Sequence, residues 1–286
     1  MKGHSGEFPV KKMAQVLKVS RSRYYAWLTA PPSARRRWDE ELGDLIQEIY
    51  EGNRCAYGSP RIFRDVKKLG IACSRKRIAR IMSEKGLRGR VKRRFKATTD
   101  SMHEFPVAPN LLNREFSVAL PNRVWVSDIT YIRTMEGWLY LCIILDLYSR
   151  IATGWSMSNR LGKELALDAL SMAVDHRKPP KDLIFHSDQG VQYASGAFRD
   201  RLKENKMIQS MSRKGDCWDN ACAESFFATL KTEEVYHRVY RTREEARIYI
   251  FDYIAVFYNR KRSHSFLDYM SPEEYEFHNA CTQNIA

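Results

Sequence analysis

Apolar positions along this chain keep two different periods. Upstream of residue 97 they recur every three to four residues, as on one face of a helix; downstream of residue 122 they alternate or run together, as in strands. Residues 12–28 give two short helical patterns broken around Lys18–Ser20, with Ser20 capping the second. Ala14, Leu17, Val19, Tyr24 and Trp27 are expected to form a miniature core, leaving Arg21 and Arg23 at the start of the second helix. This outline fits a helix-turn-helix and a plain helical hairpin equally. Past Pro31-Pro32-Ser33, residues 34–50 form an amphipathic helix with Leu42, Leu45, Ile46 and Ile49 on one face. Ser59 and Pro60 start a further helix through Ile62, Phe63, Val66 and Leu69, which Gly70 stops. Ser74 caps the next, whose Ile78, Ile81 and Met82 face inward and whose first turn carries Arg75, Lys76 and Arg77.

Residues 97–122 lose periodicity and collect Pro106, Pro109 and Pro121. Strands then dominate: VWVSDITYIRT and GWLYLCIILDLYSR, joined by a turn at Glu136-Gly137, followed by IATGWSMS. A helix from Lys163 to Val174 leads to the short buried strand of DLIFHSDQG; SGAFRDRLKENK is helical, MIQSMS is a strand, and 219–234 and 242–261 are helices. This order predicts an α/β fold, a ribonuclease H-like mixed sheet with flanking helices, preceded by a small all-α helix-turn-helix-like DNA-binding region. The expected division is 1–50 (N-terminal helical), 51–96 (basic, helix-turn-helix-like), 97–120 (linker) and 121–279 (catalytic core with C-terminal helices).

Charge sharpens this picture. Net charge is +14, and residues 54–98 alone hold 16 Lys/Arg against two acids, a surplus equal to that of the whole chain. So local an excess points to a phosphate-binding surface, with Arg61, Arg75, Lys76, Arg77 and Arg80 as candidate DNA contacts. The six cysteines lack any C-x-x-C spacing, which argues against a zinc site or a disulfide framework. The longest apolar run, Trp138–Leu145, is far short of a membrane span, and no signal-peptide pattern precedes it. A cytoplasmic, nucleoid-associated protein with no membrane partner is expected.

Three acids stand in surroundings that folding does not ask for. Asp128 interrupts a β-rich run, Asp188 ends a buried strand, and Glu224 lies on a helix with Phe226, Phe227 and Leu230. Lys231, seven residues past Glu224, lies two turns on along the same face. Charges in apolar surroundings are costly unless compensated, and a pair of divalent cations would compensate all three. Mg²⁺ suits such oxygen donors, with Mn²⁺ as a substitute, and two-metal sites promote in-line attack on phosphodiesters. The three carboxylates are therefore expected to face one cavity.

VWVSDITYI, HSDQGVQYAS and DNACAESFFATLKTE resemble the three acidic motifs of DDE transposases of the insertion sequence 3 family, which share a catalytic core with retroviral integrases. YNRKRSHSFLDYMSPEEYE at 258–276 resembles that family's C-terminal signature, and the likeness runs from about residue 12 to 277. Gln189 stands where an arginine often follows the second acid, and Asp268 replaces a common glycine. The resemblance implies Asp128, Asp188 and Glu224 as catalytic metal ligands and Lys231 as a DNA contact. It also implies cleavage and strand transfer at element ends, terminal-repeat and target DNA as partners, homo-oligomers on DNA, and an upstream-frame protein acting separately or as a fusion. The rival readings are a regulator that has lost activity and a stand-alone nuclease.

Neighbouring residues keep two readings each. Asp146 is expected to pair with Arg150. His186 either touches a scissile phosphate or is a satisfied core histidine. Asn220 either steers Glu224, binds DNA or caps its helix. Arg262 and His264 either hold DNA or support the core, and Trp125 and Trp218 are expected in the core rather than as base-stacking platforms.

Overall fold

The computed structural model describes residues 1–91, 106–213 and 217–283; positions 92–96 of the basic region and 97–105 of the linker lie outside the described residues. Five α-helices come first: α1 (Val10–Val16), α2 (Arg21–Thr29), α3 (Ala34–Gly52), α4 (Ser59–Lys68) and α5 (Arg75–Glu84). The hydroxyls of Ser20, Ser33 and Ser74 accept backbone N–H groups at the starts of α2, α3 and α5. At α4 the cap is Gly58, one residue ahead of the expected Ser59, with Pro60 inside the first turn. Leu42 and Ile46 of α3 join Ile62, Val66, Ile78, Ile81 and Met82 in one buried cluster.

The miniature core expected in 12–28 does not form. Ala14 is buried, but Leu17 is 58% and Trp27 62% exposed. The apolar side chains of α2 are spread around its axis, so no single face can close against α1.

The second half is a mixed sheet in the order β3-β2-β1-β4-β5. Strands β1 (Val124–Thr134), β2 (Gly137–Asp146) and β3 (Ala152–Ser158) form an antiparallel meander; β4 (Ile184–Ser187) and β5 (Ile208–Met211) add in parallel. Helix α6 (Lys163–Arg177) crosses from β3 to β4, and α7 (Val191–Ala194) and α8 (Gly196–Glu204) connect β4 to β5. Alternation along the strands divides the core between two faces. Trp125, Cys142 and Ile144 pack with α6 and α8, while Val124, Val126, Ile143 and Leu145 join the cluster that holds α3–α5. That second face is also covered by α9 (Ala221–Glu233) and by α10 (Arg243–Phe251), which continues as π-helical turns over Asp252–Tyr258; α11 (Pro272–Gln283) follows. Asp268 takes φ +50°, the left-handed region that favours glycine.

Helix α6 seats on the sheet because β3 has a glycine beneath it. A Cβ at Gly154 would lie 2.4 Å from the Ala169 carbonyl oxygen and 2.7 Å from the Ala173 methyl. Gly154→Val is therefore expected to lift α6 and destabilise the fold by about 3 kcal/mol or more, as overpacked cores do. A thermal melt matching that of the unsubstituted protein would contradict this. No helix among the described residues is long and apolar enough to cross a membrane.

Candidate active site

Asp128 sits mid-strand in β1, opposite Ile143 of β2, and its Oδ1 accepts the Ile129 N–H at 2.8 Å. Asp188 directly follows β4, which lies parallel to β1, so two strand positions bring the two aspartates together. The Asp188 Oδ1 accepts the Gly190 N–H at 3.0 Å, a turn that fixes the chain as it leaves the sheet. Both aspartates are half-buried, whereas Glu224, in the first turn of α9, is exposed.

Their electrostatics are mutual. Burial, then repulsion from Asp188, then Glu224 push the Asp128 carboxyl well above its ordinary value, against the Ile129 amide and Lys231. Burial and Asp188 raise Glu224; burial lowers the largely buried Lys231 while Asp128 raises it. All four groups thus feel at least one of the others. The single expected cavity is only partly formed: among the described residues, no three His, Cys, Asp or Glu side chains are gathered closely enough to hold a metal ion. Glu224 is on a hydrated face, and water solvates a carboxylate better than the approach to two like charges does.

The start of α9 is pinned beside these acids. The Asn220 amide donates to the Ser127 carbonyl at 3.1 Å, next to Asp128, and makes no cap bond to its own helix. Its Oδ1 is buried without a hydrogen-bond partner. Asp219, fully buried, receives Arg213, Arg114 (2.9 Å) and Asn110 (2.8 Å); the Arg213 bonds above all hold its carboxyl far below the usual range. His186 is buried, with Nδ1 2.8 Å from the Ser210 hydroxyl and Nε2 without a hydrogen-bond partner, and burial lowers its pKa to about 4, so it is a core histidine satisfied on one side only. Gln189 donates to the Ser212 carbonyl at 2.9 Å.

The far end of α9 is held by a buried network of charges drawn from distant parts of the chain. Glu233 receives a bidentate pair from Arg262 (2.7 and 2.8 Å), the Tyr253 hydroxyl (2.8 Å) and Arg61 (3.3 Å). Glu234 receives Arg54 at 2.6 Å and Arg238 at 2.5 Å, and Arg90 donates to the Glu233 carbonyl. Arg262 is thus core support, as is His264, whose Nδ1 accepts the Phe266 N–H at 3.3 Å and whose pKa burial brings to about 3. Of the candidate DNA contacts, Arg61 points at α9, and Arg77 and Arg80 both bind Asp39 of α3 at 2.7 Å. Arg75 and Lys76 remain exposed at the start of α5. Trp125 is fully buried as expected, but Trp218 is 68% exposed. Asp146 pairs with Arg177 at 3.4 Å, not with the side chain of Arg150, which reaches the Phe116 carbonyl and the Cys222 sulfur, each at 2.7 Å.

Residues 119–217 and 224–279 match models of the integrase core domain, and residues 37–95 match an HTH-like domain. The "Insertion element IS600 uncharacterized 31 kDa protein" of Shigella sonnei is 46% identical over 260 residues, 91% of this chain and 96% of that protein. "Transposase InsF for insertion sequence IS3A" of Escherichia coli K12 is 40% identical over 275 residues, 96% of each chain. Among solved structures, the HTLV-2 integrase catalytic core domain in complex with magnesium matches with TM-score 0.42 at 14% identity, over 55% of this chain and 97% of that one.

Proposed function

This chain belongs to the IS3 insertion-sequence transposase family, and from that premise we propose that it cuts and joins DNA strands at the ends of an insertion sequence, with Asp128, Asp188 and Glu224 carrying the chemistry. The observation that best supports this reading is the pairing of Asp128 with Asp188 beside Lys231: two carboxylates brought together at a cost in repulsion, with a cation at hand. Folding gains nothing from such a pair.

Carboxylate oxygens are the hard donors that Mg²⁺ or Mn²⁺ take, and a cation between Asp128 and Asp188 would reverse their repulsion. Those two residues would hold the ions, with Glu224 completing the set. Bound there, a pair of divalent ions would acidify the attacking hydroxyl and neutralise charge on the phosphate. Lys231 neutralises a phosphate oxygen next to the cut, an electrostatic task rather than acid–base catalysis. In cleavage the water oxygen bonds to phosphorus, the bond to the 3′ oxygen breaks, and that oxygen leaves as a 3′-hydroxyl. In joining, the 3′-hydroxyl attacks a second phosphodiester and displaces another strand's oxygen.

The helical region holds the DNA. Arg75 and Lys76 are exposed at the start of α5 and take phosphates directly, while Arg77 and Arg80 first have to leave Asp39, and Arg61 has to leave Glu233. Arg75→Ala/Lys76→Ala should weaken binding to end DNA and reduce the salt slope by about 0.9 for each phosphate the protein no longer neutralises. An unchanged slope would move the binding surface elsewhere.

Two ends have to be paired, so the working form is a homo-oligomer on DNA in the cytoplasm, acting with or fused to an upstream-frame protein that adds end recognition. The deciding experiment supplies purified protein with pre-cut end DNA and Mg²⁺, with and without the upstream product. Joined strands, more abundant with that product, are expected. Hydrolysis alone would make the chain a nuclease, binding alone a regulator, and efficient end-specific joining without the upstream product would remove the partner.

A further inference from the structure

Beyond Val126 the β1 edge facing β4 is covered by no strand among the described residues, because β4 pairs only with Val124–Val126. After α9 the chain returns along this edge and closes on its end through a Thr134–Tyr240 bridge and a 3.0 Å bond from the Met135 N–H to the Tyr240 carbonyl. An open groove of about 790 Å³ lies there, lined by β1, the β1–β2 turn and residues 235–240. Arg133, Lys231 and Arg238 line it, and none of its lining residues is acidic. Tyr131 and Trp138 stand in it 40% and 47% exposed, rings edge to face with centroids 5.0 Å apart. The Lys231 ammonium lies 5.2 Å from the centre of the Tyr131 ring, so the lysine beside the acids is also the groove's inner wall.

Such a surface is unusual for a chain that leaves it to water. Large exposed rings beside cations match a ligand that is both anionic and flat-faced. Base faces are hidden by stacking within a duplex and become available in a single strand. Arg238 is engaged by Glu234 and by the Tyr249 ring, 3.9 Å away; Arg133 is exposed on the groove wall, and Lys231 lies at its inner end. A peptide adding to the open strand edge would use backbone bonds and would need neither the rings nor the cations.

We propose that this groove is a subsite for unpaired DNA next to the scissile phosphodiester, with bases stacked on Trp138 and Tyr131 and phosphates along Arg133 and Lys231. Its place beside the cut rests on the catalytic reading of Asp128 and Asp188; its ligand does not. The probe is a fluorescein-labelled 12-residue oligothymidylate carrying one 5-iododeoxyuridine, bound to the full chain and then irradiated. Trp138→Ala should weaken binding roughly tenfold, the scale of removing one base–aromatic stack, and Trp138→Phe should restore most of it. Crosslinks should fall within 131–138 or at Tyr236. Unchanged affinity in Trp138→Ala, or crosslinks confined to α4 and α5, would overturn the proposal. Cutting of end DNA by Asp128→Asn is assayed separately: if that variant still cuts, the catalytic reading falls, while the Trp138→Ala affinity and the crosslink positions decide the groove on their own.

Discussion

Asp128→Asn, Asp188→Asn and Glu224→Gln should each abolish cleavage and joining of end DNA while binding stays within about twofold. Each substitution keeps the shape of the side chain and removes the charge that a divalent ion requires. Metal stabilisation of the transition state is worth several kcal/mol, and at about 1.4 kcal/mol per tenfold the loss is roughly a thousandfold or more. Binding survives because the exposed cations of α5 are far along the chain from the acids and untouched by the change. Cleavage and gel-shift assays on one DNA decide it. Glu224→Gln is the sharpest of the three, since Glu224 is the exposed carboxylate. Wild-type cleavage by that variant would reduce the site to Asp128 and Asp188.

The second large effect belongs to stability. Burial alone would raise the Glu233 carboxyl, but Arg262, Arg61 and Tyr253 outweigh it and hold it below its ordinary value. Arg262→Ala leaves that carboxylate buried without its bidentate partner, a loss of about 3–5 kcal/mol. At about 2–4 °C per kcal/mol, the melting temperature should fall by roughly 10 °C. Replacing both members, as Glu233→Met/Arg262→Leu, should cost less than the single change, because no charge is then stranded. The pH dependence has a definite sign. A depressed carboxylate gives its full stabilisation above the ordinary glutamate pKa of about 4.3 and loses it as pH falls through the folded value. The unsubstituted protein should therefore lose this contribution on acidification below about pH 4, and Arg262→Ala should lack that component. A variant that melts with the unsubstituted protein would show the network to be no more than surface pairing.

Periodicity makes most of this fold legible in the sequence. The three meander strands, the two parallel strands and the long helices fall where apolar spacing and serine caps place them. The acids are legible for a related reason: a carboxylate inside VWVSDITYI or at the end of a buried run breaks a pattern that is otherwise kept. Pairings between distant residues are not legible. Arg54 and Glu234 are 180 residues apart, and a string of letters does not distinguish an arginine bound to a buried acid from one awaiting a phosphate. The surplus of 54–98 therefore overstates the phosphate-binding surface, since Arg54, Arg61 and Arg90 turn inward. The expected Asp146–Arg150 pair fails locally: Arg150 has φ +60°, which turns its side chain from the neighbouring acid toward Phe116 and Cys222. In residues 12–28 the right residue types are present, but too few share a face to exclude water.

The arginines that grip α9 also limit how this protein can be rebuilt. Grafting another family member's helical region onto this core, in order to redirect which DNA is recognised, would exchange Arg54, Arg61 and Arg90 and leave Glu233 and Glu234 behind. Chimeras divided between residues 91 and 106 keep this buried charge cluster only where the incoming helical region brings arginines to the positions of Arg54, Arg61 and Arg90. Where it does not, α9 has to travel with its arginines, and reader and cutter are exchanged as one piece.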